Sequence, residues 1–139
     1  MSRFPLVLGV LFALLAGACE SSQRHLLQAP EDAVKLRAIQ TRVFDTTDET
    51  LVMRSVIGTL QDLGFVIDDA NSNLGIISGT KLEGYALRMM VTVKRRGEQQ
   101  TAVRASAQYG RQMVTDPETY QKFFTALSKS MFLTAHDVE

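Results

Sequence analysis

The 139-residue sequence predicts an α+β two-layer sandwich, with one antiparallel sheet of about five strands carrying two helices on a single face. Three observations lead there. Between Tyr85 and Tyr109 two alternating runs flank a polar turn at Arg95-Arg96-Gly97-Glu98, the period-two pattern of an antiparallel hairpin with one apolar and one polar face. Upstream, Val52, Val56, Leu60 and Leu63 recur at helical spacing. Downstream, Tyr120, Phe123, Phe124, Leu127 and Met131 do the same. The predicted order is β-α-β-β-β-β-α.

The first strand is predicted over 38–44, where Ile39, Thr41 and Val43 fall on one side and Gln40 and Arg42 on the other. Asp45-Thr46-Thr47-Asp48-Glu49 ends it. Thr46 followed three places later by Glu49 fits a capping box, in which a hydroxyl and a carboxylate each satisfy an orphan N–H at a helix start. Gly64 stands where a left-handed C-cap belongs. Phe65-Val66-Ile67 and the run from Leu74 to Lys81 read as two strands around an Asp/Asn/Ser loop at 68–73. In the third pair Tyr85, Leu87, Met89, Val91 and Val93 share a face, and their partners Thr101, Val103, Ala105, Ala107 and Tyr109 share it too. Asp116-Pro117-Glu118 then supplies an N-cap, a proline at the first helical position and an acid in the first turn. Both helices are expected on the apolar face. The outer face is expected to carry Arg88, Lys94, Arg104 and Gln108, with Met90 among them and Arg42 on the first strand.

Ahead of the folded part lie a basic start (Met1-Ser2-Arg3), an apolar run from Phe4 to Leu15 and the small residues Ala16-Gly17-Ala18, the order of a secretory signal. The run is shorter than the roughly 20 apolar residues of a bilayer span and ends at Glu20-Ser21-Ser22-Gln23-Arg24. Cys19 is the only cysteine, and an unpaired thiol in an exported chain asks for a role. Leu14-Leu15-Ala16-Gly17-Ala18-Cys19 resembles the lipobox of bacterial lipoproteins, departing from it at Ala16, where that family usually has Leu. The resemblance implies cleavage after residue 18, acylation of Cys19, and anchoring to a lipid bilayer by several acyl chains. With Glu20 rather than Asp after the cysteine, it also implies the periplasmic face of the outer membrane. The domain plan is a signal peptide over 1–18, a lipidated cysteine and tether over 19–35, and one α+β domain over 36–139. Removal of the signal leaves 121 residues, enough for one modest core, with fourteen basic and fifteen acidic residues. This balance gives no bulk attraction to nucleic acid. Without a second cysteine the mature chain makes no internal disulfide.

Arg42-Val43-Phe44-Asp45 leading into a capped helix, then Leu60-Gln61-Asp62-Leu63-Gly64-Phe65-Val66-Ile67-Asp68 and Gly75-Ile76-Ile77-Ser78-Gly79, are similar in outline to the helix-grip domains of the lipoprotein C subunit of the β-barrel assembly machinery. The same blocks, followed by Tyr109-Gly110 and Asp116-Pro117-Glu118, resemble a group of small proteobacterial lipoproteins. Neither resemblance implies a catalytic residue.

Chemistry is sparse. His25 and His136 are far apart in sequence and lack Cys or His partners, so no zinc site is expected. Asp68-Asp69 with Asn71 and Asn73 lack the Gly and distal Glu of a calcium loop. Asp45, Asp48 and Glu49 are accounted for by capping, and Gly64, Gly75 and Gly79 form no phosphate-binding loop. No catalytic residue, metal or cofactor is expected. The expected function is a non-enzymatic binding or assembly module of a cell-envelope protein complex, with Arg88, Lys94 and Arg104 as partner-binding residues. An exposed first or last strand offers an edge as a second docking feature. The alternative is a small-ligand pocket between sheet and terminal helix, lined by Tyr85, Met89, Tyr109 and Phe124.

Overall fold

The computed structural model describes residues 31–136; the signal segment, Cys19, His25 and the first part of the tether lie outside the described residues. The chain divides into two units, 1–36 and 37–139. What is described of the first is helical: α1 runs over 31–39 and continues into the second unit, with the Lys35 ammonium 3.0 Å from the Glu31 carboxylate one turn back. This corrects one expectation, since 38–39 were read as strand and are helical. The Glu31 to Lys35 spacing bridges one helical turn.

The second unit holds β1 (Thr41–Phe44), α2 (Glu49–Asp62), β2 (Val66–Asn71), β3 (Ile76–Glu83), β4 (Tyr85–Arg96), β5 (Gln100–Tyr109), β6 (Gln112–Met113) and α3 (Pro117–His136). All strands join one antiparallel sheet in the order β1-β5-β4-β3-β2, with β6 on β5. The predicted α+β sandwich is the observed fold, extended by α1 and by the two-residue β6. Helix α2 packs on β2, β3 and β4 and against α3. Between helices and sheet the core is apolar: Val52, Val56 and Leu60 from α2, Ile77, Met89, Val91, Val93, Val103 and Ala105 from the sheet, and Tyr120, Phe123, Phe124 and Leu127 from α3 are all buried.

Local chemistry fixes the ends of α2. Asp48, not Thr46, is the N-cap: its carboxylate accepts from the Leu51 N–H at 2.9 Å, while the Thr46 hydroxyl accepts from the Asp48 N–H at 3.2 Å. The helix therefore starts two residues later than the capping-box reading. At the other end Gly64 (φ 89°) donates to the Gln61 carbonyl and Phe65 to Leu60, a Schellman closure. Asp48→Ala is expected to lower stability by about 1 kcal/mol, read as a shift in the thermal midpoint.

The β2–β3 connection is shorter than predicted. Asp68 to Asn71 belong to β2 and only 72–75 turn, because the ladder absorbs Asp68 as a bulge between Ile67 and Asp69. The Asn71 carboxamide oxygen accepts from the Leu74 N–H, and the Gly75 carbonyl accepts from Val93 N–H at 2.7 Å.

The phase of β1 is the reverse of the expectation. Arg42 lies opposite Val103 and Phe44 opposite Thr101, both partners being buried on the helix side, whereas Thr41 and Val43 share the outer face with Arg104 and Ala102. Gln40 and Arg42 thus point toward α3. The Gln40 amide donates to the buried Tyr120 hydroxyl at 3.0 Å, and the Arg42 guanidinium sits 5.3 Å from the centre of the Phe124 ring. Polar residues face inward here because one helix offers each a partner.

The outer edge of β5 is shared. Residues 101–104 pair with β1 and residues 108–109 with β6. In the gap, Ala105 N–H donates to the Gln40 carbonyl, and Ala107 N–H to the Tyr120 hydroxyl at 3.2 Å, which in turn donates to the Val114 carbonyl at 2.6 Å. A side chain of the last helix thus completes the ladder.

Candidate functional site

The predicted partner-binding residues do share one face. Arg88 and Lys94 on β4, and Arg104 on β5, alternate with the buried residues of their strands and point away from α2 and α3. Each is opposite neutral residues: Arg88 faces Thr80 and Gln108, Arg104 faces Thr92 and Thr41, and Lys94 faces Ala102. The register thereby avoids the direct like-charge pairs that two adjacent basic strands could have made. Lys94 and Arg104 are diagonal neighbours, with side chains about 7–8 Å apart. Arg88 stands four residues along β4 from the level of Arg104, about 13 Å away. None of the three makes an ion pair among the described residues. On the same face Asp68 and Asp69 lie on β2 at the far edge, and the Asp68 carboxylate accepts from the Thr80 hydroxyl at 2.6 Å. Charge on this face therefore runs from acidic at β2 to basic at β4 and β5.

One edge is formed, as expected, by the first and last strands, β1 and β6 lying in succession along β5; the other is β2, interrupted by its bulge and two aspartates. Such an edge is blunted against pairing.

On the helix side a cleft of about 220 Å³ opens where the sheet extends past the start of α3. Leu63, Phe65, Leu87, Met89 and Tyr109 are its apolar walls, and Lys81, Glu83, Asp116, Glu118 and Lys122 are among its polar ones. Two ion pairs stand on it, Lys81 with Glu83 and Lys122 with Glu118, each at 2.9 Å. The hydrogen bond to Glu118, together with its charge and those of Asp116 and Glu83, holds the Lys122 ammonium above its ordinary pKa. Of the four residues expected to line a ligand pocket, Met89 and Tyr109 do so; Phe124 is buried in the core, and Tyr85 is exposed beyond the helices. The lysines and Phe65 went unassigned because only the tertiary fold brings them to Tyr109.

Among the described residues no group of three or more His, Cys, Asp or Glu side chains is placed to hold a metal ion. Among them also, no helix is long and apolar enough to cross a membrane. Asp48 caps α2 and Asp45 accepts from the Gln100 amide at 2.8 Å, so both carboxylates have structural partners.

These features define a small α+β protein whose open antiparallel sheet is helix-covered on one face and presents a polar, unevenly charged surface on the other. Neither a protein-family model nor a curated protein matches the sequence.

Proposed function

We propose that this chain is a non-enzymatic, lipid-anchored module of a cell-envelope protein complex, held at the periplasmic face of the outer membrane through acylated Cys19 and docking by the outer face of its sheet. The observation that carries the reading is the basic part of that face: Arg88, Lys94 and Arg104 sit opposite neutral residues, without ion pairs among the described residues. A partner presenting carboxylates would give all three their counter-charges. Cross-linking in intact cells should recover an envelope protein, and the Arg88→Ala/Arg104→Ala double variant should lower its yield about tenfold. Undiminished capture would remove the proposed face. The anchor has its own measurement: Cys19→Ser should abolish incorporation of radioactive palmitate, and persistent labelling would overturn the cysteine assignment.

A second reading is favoured by the cleft at Met89 and Tyr109, whose apolar walls and two ion pairs suit a small amphipathic molecule. Its volume of about 220 Å³ is below the roughly 300–1,000 Å³ usual for ligand pockets, which ranks it behind docking.

A further inference from the structure

The β3–β4 and β5–β6 turns lie at the same end of the sheet, because Leu87 pairs with Tyr109. Large apolar side chains gather there in the open. Leu82 and Tyr85, on either side of the Gly84 turn, are each 81% exposed, Val66 is 72% exposed, and Met113 and Tyr109 are exposed as well. The register sets Leu82 at the tip of the outer face, two residues beyond Thr80; Val66 and Met113 stand at opposite ends of the next row, with Thr80, Arg88 and Gln108 between them. Tyr85 and Tyr109 are diagonal neighbours on the opposite face. The apolar surface thus wraps around the end of the sheet.

We propose that this end of the sheet inserts shallowly into a lipid bilayer surface, with Leu82 and Tyr85 leading. The shape favours lipid: an end that is apolar on both faces of one sheet suits a fluid surface that conforms to it. The residue types agree. Two of the chain's three tyrosines are here, an apolar ring with a polar tip being suited to the headgroup boundary. Charge at this end is near balance: Glu83 and Glu118 pair with Lys81 and Lys122, while Arg88 and Arg111 on one side and Asp68, Asp69 and Asp116 on the other make no ion pair among the described residues. Apolar burial rather than charge therefore drives the insertion. The inference rests on the membrane-proximal part of the proposed function and shares the Arg88 end of its docking face.

The chain contains no tryptophan, so Tyr85→Trp in the full chain places one reporter indole at the Gly84 turn, and Gln99→Trp in a second variant places one at the opposite β4–β5 turn. Both variants are bound to vesicles of phosphatidylethanolamine and phosphatidylglycerol with brominated acyl chains. Insertion to the roughly 5–10 Å typical of interfacial segments should quench the Tyr85→Trp variant at least about twofold, leave the Gln99→Trp variant bright, and be lost when Leu82→Asp is added to the first. Unquenched fluorescence from Tyr85→Trp in a chain that floats with the vesicles would overturn the proposal while leaving the anchor intact. Shielding of that indole only by an added envelope protein fraction, with no quenching by lipid, would overturn it in favour of a protein partner. Quenching of the same variant in a chain whose Cys19 takes no palmitate would support it and overturn the anchor.

Discussion

Tyr120→Phe is expected to destabilise the domain by about 3–5 kcal/mol, although it removes a single oxygen. The hydroxyl donates to the Val114 carbonyl and accepts from the Ala107 N–H and the Gln40 amide, and Tyr120 and Gln40 are buried. Each polar group left without a partner away from water costs about 1–3 kcal/mol, and the ring of phenylalanine supplies none. Urea denaturation should show the loss as a lower midpoint at unchanged slope, and hydrogen exchange should show the Ala107 amide among the first to gain deuterium. Gln40→Ala, which leaves the hydroxyl its two backbone partners, should cost distinctly less. Equal stability of Tyr120→Phe and the parent would mean the network contributes nothing.

Gly75→Ala is the second large effect, at about 3–5 kcal/mol. The residue has φ of 65°, where an alanine costs about 1–2 kcal/mol. A methyl built there would also fall far inside 3.0 Å of the Val93 carbonyl oxygen, which is backbone and cannot swing aside. Relief requires the turn to move off β4, and that breaks the bond from Val93 N–H to the Gly75 carbonyl. Gly84→Ala is the matched control. Its φ is 71° but nothing lies within 4 Å of the added methyl, so only the backbone term of about 1–2 kcal/mol should appear. Thermal denaturation of the pair separates conformational strain from collision, and equal losses would refute the steric account.

Much of the scaffold was legible because one face of it is dry. The 85–109 hairpin has a period of two with apolar residues on one side, and Val52, Val56 and Leu60 mark the inner stripe of α2 with no tertiary knowledge. That Arg88, Lys94 and Arg104 share a face follows from the same alternation. Their neutral partners did not follow, since register depends on where the turn closes. The phase of β1 was misread for a different reason. Gln40 and Arg42 are polar, and their inward placement depends on Tyr120 and Phe124 some 80 residues later. β6 is too short for any period to show, and the apolar end of the sheet comes from residues scattered between Val66 and Met113 that only strand pairing collects. The run Leu14 to Cys19, which resembles a lipobox, lies outside the described residues.

The shared edge of β5 also bears on how the chain is made. The hydroxyl that closes the gap between β1 and β6 comes from Tyr120, 80 residues after the Gln40 amide it accepts. A nascent or truncated chain lacking α3 therefore displays β5 with part of its hydrogen-bonding edge open. An open edge is a template for strands of other chains, and contacts this distant in sequence form slowly. Loss of the C-terminal helix should consequently produce self-association rather than a smaller soluble domain, and any chaperone serving this protein has most to do before residue 120 is in place.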